Sequence, residues 1–268
     1  MDKTAKKYKI IRYCADAAFL LLEATVFLLS GKFTSKETGE VVFWGLPAYA
    51  SVPLMIGIFA LFYLFLKTMS KRTHELLYVK CLPRAYYDLT HEKEKKIKLF
   101  KGKSSMGTDA RALYYMGKRS EAEKLFKEYY KKGTSAEFQI PVISYLARIA
   151  FEDNNKDDVL GYIKLYEKKL PGVNDSAMKE NCKIYSDMFS FMEKYFEKDF
   201  EAAEKSILNA VEKTYYPINS VFFKLYYAYA LEEENKTGEL YDVLNDIVKN
   251  AGDTFAAKKA EKMLLKLS

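Results

Sequence analysis

Few residues of this 268-residue chain are of a type and spacing that could do chemistry, and most of those are charged groups in unusual settings. Beyond residue 103 there are only three arginines, Arg111, Arg119 and Arg148. A guanidinium grips a carboxylate through two parallel N–H bonds, so Arg111 and Arg148 are candidates for holding an acidic group. Asp16 and Glu23 stand in an otherwise apolar stretch and share a face of any helix formed there. Asp16 can pair with Arg12 one turn earlier, whereas Glu23, near the middle of the stretch, is either a tolerated protonated acid or a helix–helix contact. The two histidines, His74 and His91, both precede the arginines. No set of nucleophile, base and orienting group can be assembled from the spacing of what remains, so no catalytic site and no cofactor is expected.

Two motifs come close to known chemistry and fail. Gly102-Lys103-Ser104 ends like a phosphate-binding loop, but Ile97 stands where the first glycine must be. His74-Glu75 begins like a zinc-protease helix, but Tyr78 replaces the second histidine. His74, Cys81 and His91 lack the spacing of a zinc site, and no metal is expected. Three cysteines are too few for a disulfide framework and fit a reducing compartment.

The formal net charge of +7 divides into +9 on residues 1–103 and −2 on residues 104–268. A near-neutral C-terminal part lacks the basic face that phosphate contacts require, which excludes a nucleic-acid partner there. The positive charge instead brackets two apolar stretches. Val41 to Leu66 contains no charged residue and is long enough to cross a bilayer as a helix. Ile10 to Ser30 reads as a first span, with a cleaved signal peptide as the competing reading. The lysines flanking both stretches place the two termini on the cytoplasmic side. The expectation is therefore an integral membrane hairpin over residues 1–70, of bacterial plasma-membrane type. A basic juxtamembrane linker follows over 71–103. Its run Lys93 to Lys103 either attracts anionic lipid headgroups or is an ordinary solvated linker.

From residue 104 the pattern changes to pairs of helices with short polar breaks. Four segments, 116–132, 153–169, 197–213 and 233–249, each start with a polar turn and then place apolar residues four and three positions apart. Those positions are Ala122/Phe126/Tyr129, Val159/Ile163/Tyr166, Ala203/Ile207/Ala210 and Leu240/Leu244/Ile247, one face of a helix in each case. The repeat steps are 37, 44 and 37 residues. Asp253 to Leu267 reads as a capping helix with Asp253 or Thr254 at its N-cap.

The segments resemble the tetratricopeptide repeat family, whose unit is two antiparallel helices of about 34 residues. Gly117, Ala122 and Phe126 match its small, alanine and large apolar positions in the first unit; Leu146, Ala147 and Pro171 match in the second, and Ala228 in the fourth. The longer spacing and Phe191 in place of a small residue depart from it. The resemblance implies an α-solenoid over 104–268; joined to the transmembrane hairpin expected from hydropathy, it makes the chain all-α, with the solenoid on the cytoplasmic side. It also implies a concave groove that takes a peptide, lined by Arg111, Tyr115, Tyr145, Arg148, Met188, Phe189, Met192, Tyr226 and Tyr229. The competing reading makes the arginines surface residues bridged to acids such as Glu152, and the aromatic residues core.

Two functions follow as expectations. One is a membrane-anchored adaptor whose cytoplasmic repeats bind a protein or peptide. The other is an accessory subunit of a transport, secretion or signalling complex, with Glu23 and the hairpin contacting a membrane-protein partner.

Overall fold

The computed structural model describes residues 33–34, 41–43, 46–91 and 105–267, with a few isolated positions between 10 and 18. The chain divides into two compact units, Met1–His74 and Glu75–Ser268.

In the first unit three short strands, β1 (Phe33–Thr34), β2 (Val41–Phe43) and β3 (Leu46–Pro47), pair antiparallel in sequence order, Phe33 opposite Val42 and Phe43 opposite Leu46. Helix α1 (Ala48–Tyr78) follows and accommodates Pro53 in its second turn. The apolar segment expected to be a single span is thus split. Its first residues are extended and exchange backbone hydrogen bonds across a sheet, and the helix that begins at Ala48 runs on through Lys67, Lys71 and Arg72. Among the described residues no helix is long and apolar enough to cross a membrane. This overturns the expectation of an integral two-span protein with both termini cytoplasmic, and the lysine asymmetry loses its meaning as a topology signal. Asp16 and Glu23, most of the first apolar stretch and the run Lys93 to Lys103 lie outside the described residues.

The second unit is helical throughout its described residues. After α2 (Pro83–His91) come α3 (Ser105–Tyr115), α4 (Arg119–Lys132), α5 (Ala136–Glu152), α6 (Lys156–Lys169), α7 (Ser176–Glu197), α8 (Phe200–Lys213), α9 (Pro217–Glu233), α10 (Thr237–Asn250) and α11 (Phe255–Leu267). The unit begins earlier than the expected boundary at residue 104. Leu76, Leu77, Cys81, Ala85, Tyr86 and Leu89 are buried, so apolar residues spaced among the lysines of the expected linker belong to the core.

Four helix pairs, α3–α4, α5–α6, α7–α8 and α9–α10, repeat the same joint. Each first helix ends in a left-handed residue: Gly117 (φ 81°), Asn154 (φ 56°), Lys198 (φ 63°) and Asn235 (φ 57°). At each joint the next amide reaches back five residues: Lys118 to Leu113 O (2.9 Å), Asn155 to Ala150 O (2.9 Å), Asp199 to Lys194 O (3.0 Å) and Lys236 to Leu231 O (3.0 Å). This is the Schellman closure, which satisfies carbonyls that the helix end leaves orphaned. Gly117 occupies the left-handed position without steric cost, and asparagine tolerates it. Lys198 has neither advantage. Lys198→Gly is expected to stabilise the chain by about 0.5–1 kcal/mol, read as an upward shift of the urea midpoint at unchanged slope.

The second helix of each pair is amphipathic, and its inward residues are those the spacing picked out. Ala122 and Phe126, then Val159, Ile163 and Tyr166, Ala203, Ile207 and Ala210, and Leu240, Leu244 and Ile247 are all buried. Tyr129 alone is half-buried, packed against Phe138 at a ring distance of 4.3 Å. The 44-residue step arises from a longer first helix, α7, and a 3-10 turn at Leu170–Gly172. Side chains of Ser135, Asn155, Asp175 and Asp199 cap α5 to α8 by accepting from the backbone N–H three residues on. Thr254 caps α11, its hydroxyl accepting from the Ala257 N–H at 3.4 Å.

The stack does not stay open. Tyr114 of α3 lies 5.3 Å from Phe222 of α9, ring centre to ring centre, and its hydroxyl is 3.0 Å from that of Tyr226. At the chain end the Asp253 N–H donates to Cys81 O (3.2 Å), and a Cβ on Gly252 (φ 58°) would fall 2.3 Å from that same oxygen. First and last elements meet, and the first helices of the four pairs converge on a shared interior.

Candidate functional site

Helices α5 and α9 explain why this interior is filled. Ile140 to Phe151 and Val221 to Leu231 carry one charged residue each, Arg148 and Lys224. A helix that is apolar on every side is surrounded by protein, not laid along a solvent groove. The structure accordingly buries most of the expected groove residues. Tyr115, Tyr145, Arg148, Phe189 and Tyr226 are buried, as are Met188 and Met192, while Arg111 and Tyr229 are half-buried. An open concave groove lined by these side chains is therefore replaced by a closed aromatic core with two arginines in it. The surface-arginine alternative also fails, because Arg148 is 3% exposed.

The rings are joined across the pairs. Tyr145 stacks on Phe126 at 5.0 Å and meets Tyr114 and Tyr115 edge-on at 5.4 and 6.0 Å. Phe191 of α7 stacks on Tyr226 of α9 at 5.6 Å, and Phe151 of α5 contacts both, at 5.3 and 5.2 Å. Their hydroxyls pair among themselves: Tyr115 with Tyr145 (2.6 Å), and Tyr115 also donating to Asn219 Oδ1 (2.7 Å). Burial pushes the phenols of Tyr114, Tyr115 and Tyr226 well above their ordinary value, so all three remain neutral donors and acceptors.

Arg148 lies over the ring faces of Phe223, Tyr145 and Tyr114 at 4.8, 5.3 and 5.7 Å. Arg111 lies over Tyr145 at 5.7 Å and donates from Nη1 to the Tyr78 hydroxyl at 2.9 Å. Both cations therefore sit within 6 Å of one ring centre. Among the described residues no carboxylate lies within ion-pair distance of either guanidinium, and Nε and Nη2 of Arg148 and Nε of Arg111 are buried without a hydrogen-bond partner. Ring faces attract a cation but offer no in-plane lone pair to its N–H groups.

One turn beyond Arg148 stands Glu152, whose side chain is 4% exposed. Burial lifts its carboxyl to about 7 against the opposing pull of Arg119, Lys259 and Arg148. Arg119 lies 4.0 Å from it, but makes its closer ion pair with Asp153 at 2.9 Å and covers the Phe255 ring of α11 at 5.7 Å. Sequence reasoning missed Tyr114, Phe222 and Asn219 as members of this cluster, and named Glu152 only as a surface partner of the arginines. The uninterrupted apolar runs of α5 and α9 were the available signal that the inner face is a core.

Among the described residues no group of three or more His, Cys, Asp or Glu side chains is placed to hold a metal ion. No protein-family model, no curated protein and no solved structure matches the chain.

Proposed function

We propose that the chain is a helical-repeat adaptor that binds a protein or peptide partner, and that it is not an enzyme. The observation that carries this reading is the fourfold repetition of one helix pair with one joint, closed by a capping helix. A stack of this kind spends its sequence on neighbour contacts and presents continuous helical faces, which is the economy of a binding scaffold. The resemblance to tetratricopeptide repeats supports the same reading. Because the inner face is filled, the partner is to be sought on the outer helices and the ends of the stack, where Tyr215, Tyr241 and Leu265 are exposed apolar groups on a charged surface.

The test is photo-cross-linking in the native host from a benzophenone amino acid placed at Tyr215 or Tyr241. A discrete cross-linked protein is expected, and the purified partner should then bind the full chain saturably. If no protein cross-links from either position, or the purified candidate fails to bind, the adaptor reading falls.

A further inference from the structure

We infer that helix α1 docks on the surface of an anionic bilayer, its exposed apolar row in the headgroup boundary and Lys67, Lys71 and Arg72 on the headgroups. The docking is independent of whatever protein the repeats bind.

The row follows from spacing and exposure together. Pro53, Gly57, Ala60 and Leu64 lie four, three and four positions apart in α1, which puts them on one face, and all four are exposed. Ile56, Leu61 and Tyr63 widen that face and are 64%, 69% and 65% exposed. Four of the twelve large apolar side chains exposed among the described residues therefore fall within the nine residues from Ile56 to Leu64. Apolar residues scattered singly over a surface carry no meaning, whereas a contiguous patch of this kind marks a surface that is covered in use.

Charge identifies what covers it. Residues 41–74 contain no aspartate or glutamate. Lys67 and Lys71 continue the Leu64 row at steps of three and four, and both are exposed, as is Arg72. The face is thus apolar at one end and cationic at the other. A second copy of α1 does not complement it. Laid parallel, the basic ends repel; laid antiparallel, each basic end meets a segment with no acid to pair with. An anionic bilayer complements both ends, through its acyl boundary and its phosphate groups. Thr68, between the two lysines, returns its hydroxyl to Leu64 O at 2.8 Å and so brings no unsatisfied donor to the boundary.

Length sets the mode of contact. Pro53 to Leu64 covers about 17 Å of helix axis, against a hydrocarbon core of about 30 Å. The row therefore enters one leaflet and does not cross, in keeping with the absence of a crossing helix among the described residues. Tyr63 stands where apolar gives way to basic, the place at which an amphipathic ring meets the headgroups.

The test is flotation of the purified full chain with vesicles of phosphatidylcholine alone or with about one third phosphatidylglycerol. Binding to the anionic vesicles is expected, each of the three basic residues adding about fivefold to the affinity, and 0.5 M salt should weaken it. Leu61→Gln/Leu64→Gln changes no charge and truncates no buried side chain. It should leave the thermal midpoint unchanged and weaken vesicle binding about tenfold or more. Lys67→Gln/Lys71→Gln/Arg72→Gln should bring anionic binding close to the level on phosphatidylcholine. Unchanged binding in Leu61→Gln/Leu64→Gln would overturn the proposal, since lysines elsewhere, such as the run Lys93 to Lys103, would then suffice. Absence of binding to anionic vesicles, or equal binding to both kinds, overturns it as well. So does a stable dimer that Leu61→Gln/Leu64→Gln dissociates, because a second copy would then cover the row.

Discussion

Phe222→Ala is expected to cost about 3–5 kcal/mol in urea unfolding. The side chain is fully buried and touches two rings of the first repeat, Tyr114 at 5.3 Å and Tyr115 at 5.0 Å. Two contributions add. The transfer free energy of a phenyl group is lost, and the cavity left behind lies between helices that are held in place elsewhere. Its position makes the effect more than local. Phe222 belongs to the fourth helix pair and its neighbours to the first, so the contact closes the stack. In an open solenoid each repeat contacts only its neighbours, and the loss of one such contact leaves the remote joint unaffected. Here the Asp253 N–H, which donates to Cys81 O at the chain end, should lose hydrogen-exchange protection in the variant. A loss below about 1 kcal/mol, with Asp253 protection unchanged, would show that the ring is not held by this contact.

How far the architecture could be read from residues depends on which helix is considered. The second helices declare themselves, because each has one buried face and a charged remainder. Val159, Ile163 and Tyr166 lie four and three apart among lysines and acids, and the structure buries those three. The capping helix was equally plain, with Thr254 ahead of an alanine-rich face. The first helices hide their role. A run such as Ile140 to Phe151 has no polar stripe from which to read a direction, and an aromatic residue in it is consistent with groove or core. What decides is ring closure, a contact between residues more than 100 positions apart, Tyr114 and Tyr226 among them. Periodicity reports local faces only and is silent on such a contact.

The N-terminal misreading has a different origin. Hydropathy measures how apolar a segment is, not whether it is one helix. Val41 to Leu66 is uncharged, yet β-branched Val41 and Val42 begin a strand and Pro47 closes one, which a helix-only reading of the window could not see. The lysines that suggested a linker after residue 71 similarly concealed Leu76, Leu77 and Cys81, which enter the core of the repeats. In the site, Arg148 was legible as a candidate by its rarity and side-chain chemistry. Its burial was not legible, because an arginine within an apolar run is so costly to bury that a surface position is the default expectation.

Glu152 gives the second large effect, a stability that falls as pH rises. The carboxyl titrates near 4.3 in the unfolded chain, whereas in the folded chain burial lifts it to about 7. Between those values the native state holds a proton that the unfolded state has released, so raising the pH favours unfolding. The stabilisation associated with Glu152 is complete below the unfolded pKa and is lost as pH rises through the folded one. Its span corresponds to on the order of 3 kcal/mol. Glu152 faces Arg119 of α4, Lys259 of α11 and the Tyr226 phenol of α9, which burial keeps neutral. Glu152→Gln mimics the protonated acid and isolates the effect from the chain's other carboxyls. Parent and variant should be equally stable near pH 4.5, and the variant should be the more stable at pH 8. A difference that is the same at both pH values would mean that Glu152 is ionised throughout and satisfied by Arg119 and Lys259. The burial of its side chain between α5, α9 and α11 would then impose no titration cost on the closed ring.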